Sequence, residues 1–136
     1  MGGRLVLILL DTNTVILTLR GNAKVGKRFK ENAGDIALPA MVLGELLYGV
    51  AKSRNPQGNG AILKTLIDAL PVMHTNDKIM ETFAERKAAL AKRGEPVADA
   101  DVLIASTALV YDATLATGNL RHFKRFEGLR VEDWSA

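Results

Sequence analysis

The chain predicts an α/β fold with a mainly parallel central sheet flanked by helices. Three observations carry this expectation. A continuous aliphatic run, Leu5-Val6-Leu7-Ile8-Leu9-Leu10, stands near the N-terminus. Apolar residues in unbroken succession, rather than alternation, suit a strand buried on both faces, as in parallel sheets. Short apolar segments then alternate with helical stretches along the whole length. Finally, 136 residues, 48% hydrophobic and 24% charged, suit a single compact domain spanning 1–136 around one core.

The elements follow in order. Residues 5–10 form the first strand, which stops at the polar Asp11-Thr12-Asn13. Residues 17–30 form a helix, with a break near Gly21-Asn22. Residues 35–38 are a short second strand. Pro39 introduces a helix over 40–52, with apolar Val42, Leu43, Leu46, Leu47 and Val50. Asn55-Pro56-Gln57-Gly58-Asn59-Gly60 is dense in turn residues and predicts a loop. An amphipathic helix over 61–70 leads to a third strand at 71–74. Residues 76–93 form a long helix with Ile79, Phe83 and Ala84 on one face, closed by Gly94 as a C-cap. Residues 100–111 are a further apolar helix, 114–117 a strand and 130–133 a last short strand.

Composition removes several chemistries. Cysteine is absent, which excludes disulfides, cysteine-zinc sites and thiol nucleophiles. That absence fits a reducing compartment, and the expected location is the cytoplasm. The aliphatic run at 5–10 is too short to span a bilayer and lacks the cleavage site of a signal peptide. Val6 stands where a myristoylation signal needs Ser or Thr, so no membrane attachment is expected. There is no P-loop and no Gly-x-Gly-x-x-Gly fingerprint. His74 and His122 are far apart and in no zinc-ligand spacing, and no Ser occupies a nucleophile elbow. His74 reads as a surface residue at a strand end, and His122 as a helix or loop residue near the last strand.

Acidic residues are the remaining candidates. In parallel sheets, sites form at the carboxyl ends of strands. Asp11 follows six aliphatic residues directly, and Thr117–Asn119 ends a later strand. A carboxylate at the mouth of a dry sheet needs a donor, a base or a cation; capping the next helix is the simpler role. Glu45 lies in Met41-Val42-Leu43-Gly44-Glu45-Leu46-Leu47-Tyr48-Gly49-Val50, apolar nearly all round and so expected to be largely buried. An unpaired Glu is almost never fully buried, which leaves a functional role, a salt bridge or a solvent-facing stripe. Asp99 and Asp101 open the helix that follows Pro96-Val97-Ala98. For Asp99 a cap is the simpler role; for Asp101, in the first turn, it is complementarity to the helix dipole.

Taken together, these acids imply a metal. Oxygen-only ligands select a hard cation, Mg²⁺ or Mn²⁺, which keeps several waters and uses few carboxylates. Without a cation, gathered carboxylates repel one another and at least one pKa rises. Net charge is only +3, from 18 basic and 15 acidic residues. With Asp11, Glu45, Asp99 and Asp101 withdrawn into one pocket, 11 acids face the same 18 bases, and the remaining surface is about +7. A basic surface around an acidic hole suits a polyanion held by its phosphates. Lys24, Lys27, Arg28, Arg86, Lys92 and Arg93 are candidate phosphate contacts.

The same residues carry a family resemblance. Leu10-Asp11-Thr12-Asn13, Leu43-Gly44-Glu45-Leu46 with Tyr48-Gly49, and Ala98-Asp99-Ala100-Asp101 with Ile104-Ala105 appear in that order. Ala116-Thr117-Gly118-Asn119, Phe123 and Gly128-Leu129-Arg130-Val131-Glu132-Asp133-Trp134 follow. This ordered set resembles the PIN-domain ribonucleases, in particular VapC-type toxins of bacterial and archaeal toxin–antitoxin modules. The resemblance implies a Mg²⁺- or Mn²⁺-dependent endoribonuclease with Asp11, Glu45 and Asp101 as acidic ligands. Asp11 and Asp101 would be the main holders of the metal. Asp99 would support the third acid, and Thr12 and Asn13 would steady the first carboxylate or the metal waters. Many PIN domains carry a fourth acid where this chain has Asn119, so a second metal site is in question. The resemblance also implies an RNA substrate, a homodimer and a small antitoxin partner, with helices 40–50 and 61–70 as candidate surfaces.

Two other readings compete. A catalytically degenerate PIN fold that only binds RNA or protein is suggested by Asn119. A receiver-type phosphotransfer domain also has clustered acids, but it needs a phosphoacceptor Asp at a central strand end and a Lys near the last strand. Asp11 ends the first strand, and Lys124 is poorly placed.

Overall fold

Ile8, Leu9 and Leu10 form β1, and all three are buried. The computed structural model describes residues 6–136, so Leu5 of the expected strand lies outside the described residues, as do the residues before it. After β1 come α1 (Thr12–Leu19), α2 (Ala23–Glu31), a 3₁₀ turn (Ala33–Asp35) and β2 (Ile36–Pro39). Then come α3 (Ala40–Ala51), α4 (Pro56–Ile67), β3 (Val72–Met73), α5 (Asp77–Lys92) and α6 (Asp99–Val110). The chain continues through β4 (Thr114–Ala116), α7 (Leu120–Phe123) and β5 (Arg130–Glu132).

The five strands lie in the order β3-β2-β1-β4-β5, and every pairing is parallel. This accounts for the unbroken aliphatic run. β1 is the central strand, covered by neighbours on both edges and by helices on both faces, so alternation would place polar groups in the core. Ile8, Leu9 and Leu10 pair with Thr114, Leu115 and Ala116 of β4. The strands after β1 build outward on one side through β2 and β3, and on the other through β4 and β5. The winding therefore reverses between β1 and β4, the position at which open parallel sheets form a crevice at their carboxyl ends. Around the sheet, Leu9, Leu38, Val102, Ile104, Leu115, Phe123 and Trp134 belong to one buried cluster. Among the described residues, no helix is long and apolar enough to cross a membrane.

Several local readings hold. Gly21, at φ +79°, turns the chain between α1 and α2, and the Asn22 side chain caps α2 by accepting from the Val25 amide. Gly94, at φ +69°, follows α5 as the left-handed residue that favours glycine. His74 is exposed just after β3.

Four others need correction. The first helix starts at Thr12 rather than near residue 17, because Asp11 occupies its N-cap. The expected loop at 55–60 is instead the start of α4. There Asn55 caps by accepting from the Gly58 amide at 3.1 Å, and Pro56 takes the first-turn position where its missing N–H costs nothing. A Cβ at Gly58 would run into the Asn55 amide, so the glycine belongs to the cap rather than to a loop. The third correction concerns α3, which is not largely buried. Only Val42 and Leu46 are buried, Met41 and Val50 pack against the core from its edge, and Leu47 is 49% and Tyr48 66% exposed. Last, α7 is a helical turn of its own.

Candidate active site

Asp11 stands where β1 ends, beside the switch point, and is 9% exposed. Its backbone amide donates to the Ala116 carbonyl at 2.9 Å, which joins the ends of β1 and β4. Its carboxylate is held at both oxygens. Oδ1 accepts from the Thr12 amide at 2.8 Å, and Oδ2 accepts from the Thr117 hydroxyl at 2.8 Å. Asp11 is thus the N-cap of α1 and a fixed acid at the crevice at once. The two donors offset the desolvation of its charge.

Glu45 comes to the same place from α3. The Thr12 hydroxyl donates to its Oε1 at 2.6 Å, a short charge-assisted bond. Thr12 therefore contacts both acids, Asp11 through its amide and Glu45 through its side chain. Its expected role was to steady the first carboxylate or the metal waters; its hydroxyl is spent on the second acid instead. Glu45 is half-buried. What holds it is this bond across 33 residues rather than enclosure by its own helix.

Asp101, in the first turn of α6, completes the set electrostatically. Burial pushes its carboxyl above the usual Asp range, and the charge on Asp11 pushes it further. The nearby His122 opposes this rise, and Glu45 adds to it. Nδ1 of His122 lies 3.2 Å from Asp101 Oδ2. Among the described residues, no Lys or Arg is ion-paired with Asp11, Glu45 or Asp101.

The supporting residues divide. Asp99 is the first residue of α6, with Ala98 at the cap position and no side-chain cap bond. Its carboxylate pairs with Lys87 of α5 at 2.9 Å and is exposed, and it is absent from the charges that shift Asp101. Asn13 is exposed, and its amide lies near Gly118. Asn119 does reach the site, through two contacts. Its backbone amide donates to the Thr117 hydroxyl at 3.0 Å, and its Nδ2 lies 2.9 Å from His122 Nδ1.

Two residues at this site were not among the sequence candidates. Thr117 appeared as a strand end and within the Ala116-Thr117-Gly118-Asn119 segment but was given no role, yet it is fully buried and anchors Asp11 from 106 positions away. His122 had been set aside for want of zinc spacing, yet its Nδ1 lies 3.2 Å from Asp101 Oδ2. The signal for Thr117 was its place in that segment at a strand end; nothing in the local sequence singles out His122. Of the candidate phosphate contacts, Arg28 pairs with Glu132 at 3.1 Å and lies over the Trp134 ring. Arg86 and Arg93 donate to the carbonyls of Glu127 and Arg125. These three are engaged in holding the fold.

Among the described residues, no three His, Asp or Glu side chains are gathered closely enough to enclose an ion by themselves. The donor set nonetheless fits a hydrated divalent cation. Mg²⁺ and similar ions keep several waters and touch one or two carboxylates. Burial and the charges of Asp11 and Glu45 raise the Asp101 carboxyl against His122, and among the described residues no Lys or Arg is paired with any of the three acids, so the crevice is short of positive charge.

Comparison with known proteins agrees with this geometry. The PIN domain family model matches residues 8–129. A tRNA(fMet)-specific endonuclease VapC of Shigella flexneri is 35% identical over 128 residues, covering 93% of this chain and 97% of its own. The crystal structure of DNA-bound VapBC from Salmonella typhimurium superposes with a TM-score of 0.90 at 34% identity, covering 95% of this chain and 98% of that one. VapBC2 from Rickettsia felis, bound to a promoter DNA fragment, superposes at 0.89 with 30% identity, covering 94% and 98%. The chain belongs to the PIN-domain family, among its VapC ribonucleases.

Proposed function

We propose that the protein is a divalent-metal-dependent endoribonuclease, the toxin of a toxin–antitoxin pair, whose working acids are Asp11, Glu45 and Asp101. One observation carries this reading. Carboxylates from three distant segments face the sheet's switch point: Thr12 ties Asp11 to Glu45, and Asp101 is raised by burial and then by the charges of Asp11 and Glu45. The relatives named as ribonucleases support the reaction class.

Asp11 and Asp101 would hold the ion, Mg²⁺ or Mn²⁺, largely through water. When bound, such an ion supplies charge neutralisation at the scissile phosphate and a water acidic enough to attack phosphorus. Asp11 arrives preset, because the Thr12 amide and Thr117 hydroxyl fix both its oxygens. Glu45, fixed at Oε1 by Thr12, orients the attacking water through the rest of its carboxylate. Thr117 and Asn119 hold the loop after β4 against Asp11, which keeps the crevice in register.

The partner reading is a cognate antitoxin and a homodimer, acting in the cytoplasm where the RNA is. It is supported by the VapBC complexes among the structural neighbours and by apolar surface that the fold leaves uncovered. Leu19, Leu47, Tyr48 and Ile62 are exposed, and a cleft of about 370 Å³ between α1, α3 and α4 has Glu45 in its lining.

Asp11→Asn or Asp101→Asn is expected to abolish cleavage of single-stranded RNA while circular dichroism stays native. EDTA should do the same, with recovery on adding Mg²⁺ or Mn²⁺. Undiminished cleavage in EDTA would sink the metal mechanism. RNA binding without turnover at every metal concentration would instead favour the non-catalytic module.

A further inference from the structure

The crevice has two unlike banks. One is the cleft between α1, α3 and α4, walled by Ile16, Leu46, Val50 and Ile62; among the described residues its lining holds one base, Arg20, and one acid, Glu45. The other bank is α7 with the end of α5, and it is basic. α7 is anchored beside the acids. The Asn119 amide is tied to Thr117, Thr117 is tied to Asp11, and Nδ1 of His122 lies 3.2 Å from Asp101 Oδ2. Arg121 is exposed next to His122, and Lys124 and Arg125 follow directly. None of these three bases was among the candidate phosphate contacts.

The fold braces this bank more than it neutralises it. Arg93, just past α5, donates to the Arg125 carbonyl at 3.1 Å. Arg93 and Arg125 also share one carboxylate, Glu95, at 3.9 and 3.8 Å. Phe123 and Phe126 root the segment in the core. Lys92, Arg121 and Lys124 are exposed, and they take part in no ion pair among the described residues. Segments 92–95 and 119–127 hold five of the chain's 18 bases and two of its 15 acids, which leaves 13 of each elsewhere. The whole net charge of +3 is therefore concentrated here. Gathered like charges repel one another, and a polyanion relieves that repulsion.

We propose that Lys92, Arg121 and Lys124 form a phosphate track that grips the RNA strand along the α5–α7 bank, beside the bond to be cut. This rests on the nuclease reading above, which brings an RNA phosphate to the acids. Those acids repel a polyanion, so its neighbouring phosphates need cations close by. Arg93 and Arg125, held at Glu95, give the track a fixed base. The surface chemistry favours RNA over a protein here. Leu19, Leu47, Tyr48, Ile62, Met80 and Tyr111 are exposed, and all lie outside segments 92–95 and 119–127. A protein interface is centred on apolar side chains, whereas nucleic-acid backbone is held by charge.

The test is binding of a fluorescein-labelled single-stranded RNA to the whole chain in EDTA, followed by anisotropy across a range of salt. Each of Lys92→Ala, Arg121→Ala and Lys124→Ala should reduce the slope of log affinity against log salt by about 0.7. The triple variant should lose about 2 in slope and about tenfold or more in affinity near physiological salt. Arg121→Lys, which keeps the charge, should keep the slope. Lys30→Ala removes an exposed base near the amino end of β2, away from the crevice, and should change neither quantity. Circular dichroism checks that all variants fold. With Mg²⁺ or Mn²⁺ present, the triple variant's loss in kcat/KM should appear in KM. An unchanged slope in the triple variant would overturn the track, as would an equal loss in Lys30→Ala or a wild type that binds no RNA. A loss confined to kcat would do the same, since it would place these bases on the chemical step. A wild type that grips RNA through these three residues yet never cuts it leaves the track standing and removes the nuclease reading alone.

Discussion

Asp101 shows what a gathered charge costs a residue. Its carboxyl is held above the ordinary Asp value of about 3.9, first by burial and then by Asp11, with Glu45 adding to it against His122. A raised folded-state value means that the folded protein prefers Asp101 protonated. The stability this gives is fully present below the ordinary value and is lost as pH rises through the raised one. Metal-free Asp101→Asn should therefore melt above the wild type at pH 7, and the gap should close below about pH 4. Thermal melts across that range in EDTA read it directly, and a gap that widens in acid would contradict it. Saturating metal should reverse the order at neutral pH, because only the wild type binds it tightly. Asp11 contrasts with Asp101: it is more enclosed, yet two donors hold its oxygens. The sequence showed that both residues stand at element ends. Which of them would be supplied with donors depended on Thr12 and Thr117, and for Thr117 on a contact across 106 positions.

Elements were legible where their signal was local. The β1 run, the Gly21-Asn22 break, Gly94 after α5 and the alternation of strand and helix all came from neighbouring residues. The start of α4 was not, because Asn-Pro-Gln-Gly-Asn-Gly contains residues equally at home in a turn and at a helix N-terminus. What decides is the Asn55 cap on Gly58, a three-dimensional bond. Asn55→Ala should accordingly destabilise the protein by about 1 kcal/mol, seen as a lower urea midpoint with unchanged m. A change of a few tenths or less would mean that α4 starts beyond the two glycines in solution. Burial of α3 was misjudged for a related reason. Its residues are apolar nearly all round, but apolar content does not say what covers a helix, and Leu47 and Tyr48 face outward. The inference from that helix to Glu45 rested on an incomplete argument. Glu45 is kept in place by Thr12, and its helix is only half enclosed.

At the scale of the whole molecule, the sheet order brings together segments that the chain keeps apart. β1 pairs with β4 as well as β2, so the strand that leads into Asp11 finds its second neighbour only after six helices and two strands have passed. Such a pairing closes late, because the entropy of a long loop must be met before its contacts form. This ordering has a consequence for a protein made from one end to the other. Asp11 and Glu45 leave the ribosome early. Asp101 follows them, and Thr117, Asn119 and His122 emerge nearly last. A stalled nascent chain exposing residues through Val110 should therefore give no RNA cleavage, although all three acids are present, whereas released full-length chain should cut. Cleavage by the stalled chain would show that the acids assemble without β4. If the stalled chain does not cut, the fold acts as a timing device. A nuclease made on a machine of RNA gains its cutting centre only when the last strands are free to dock, at the point of release.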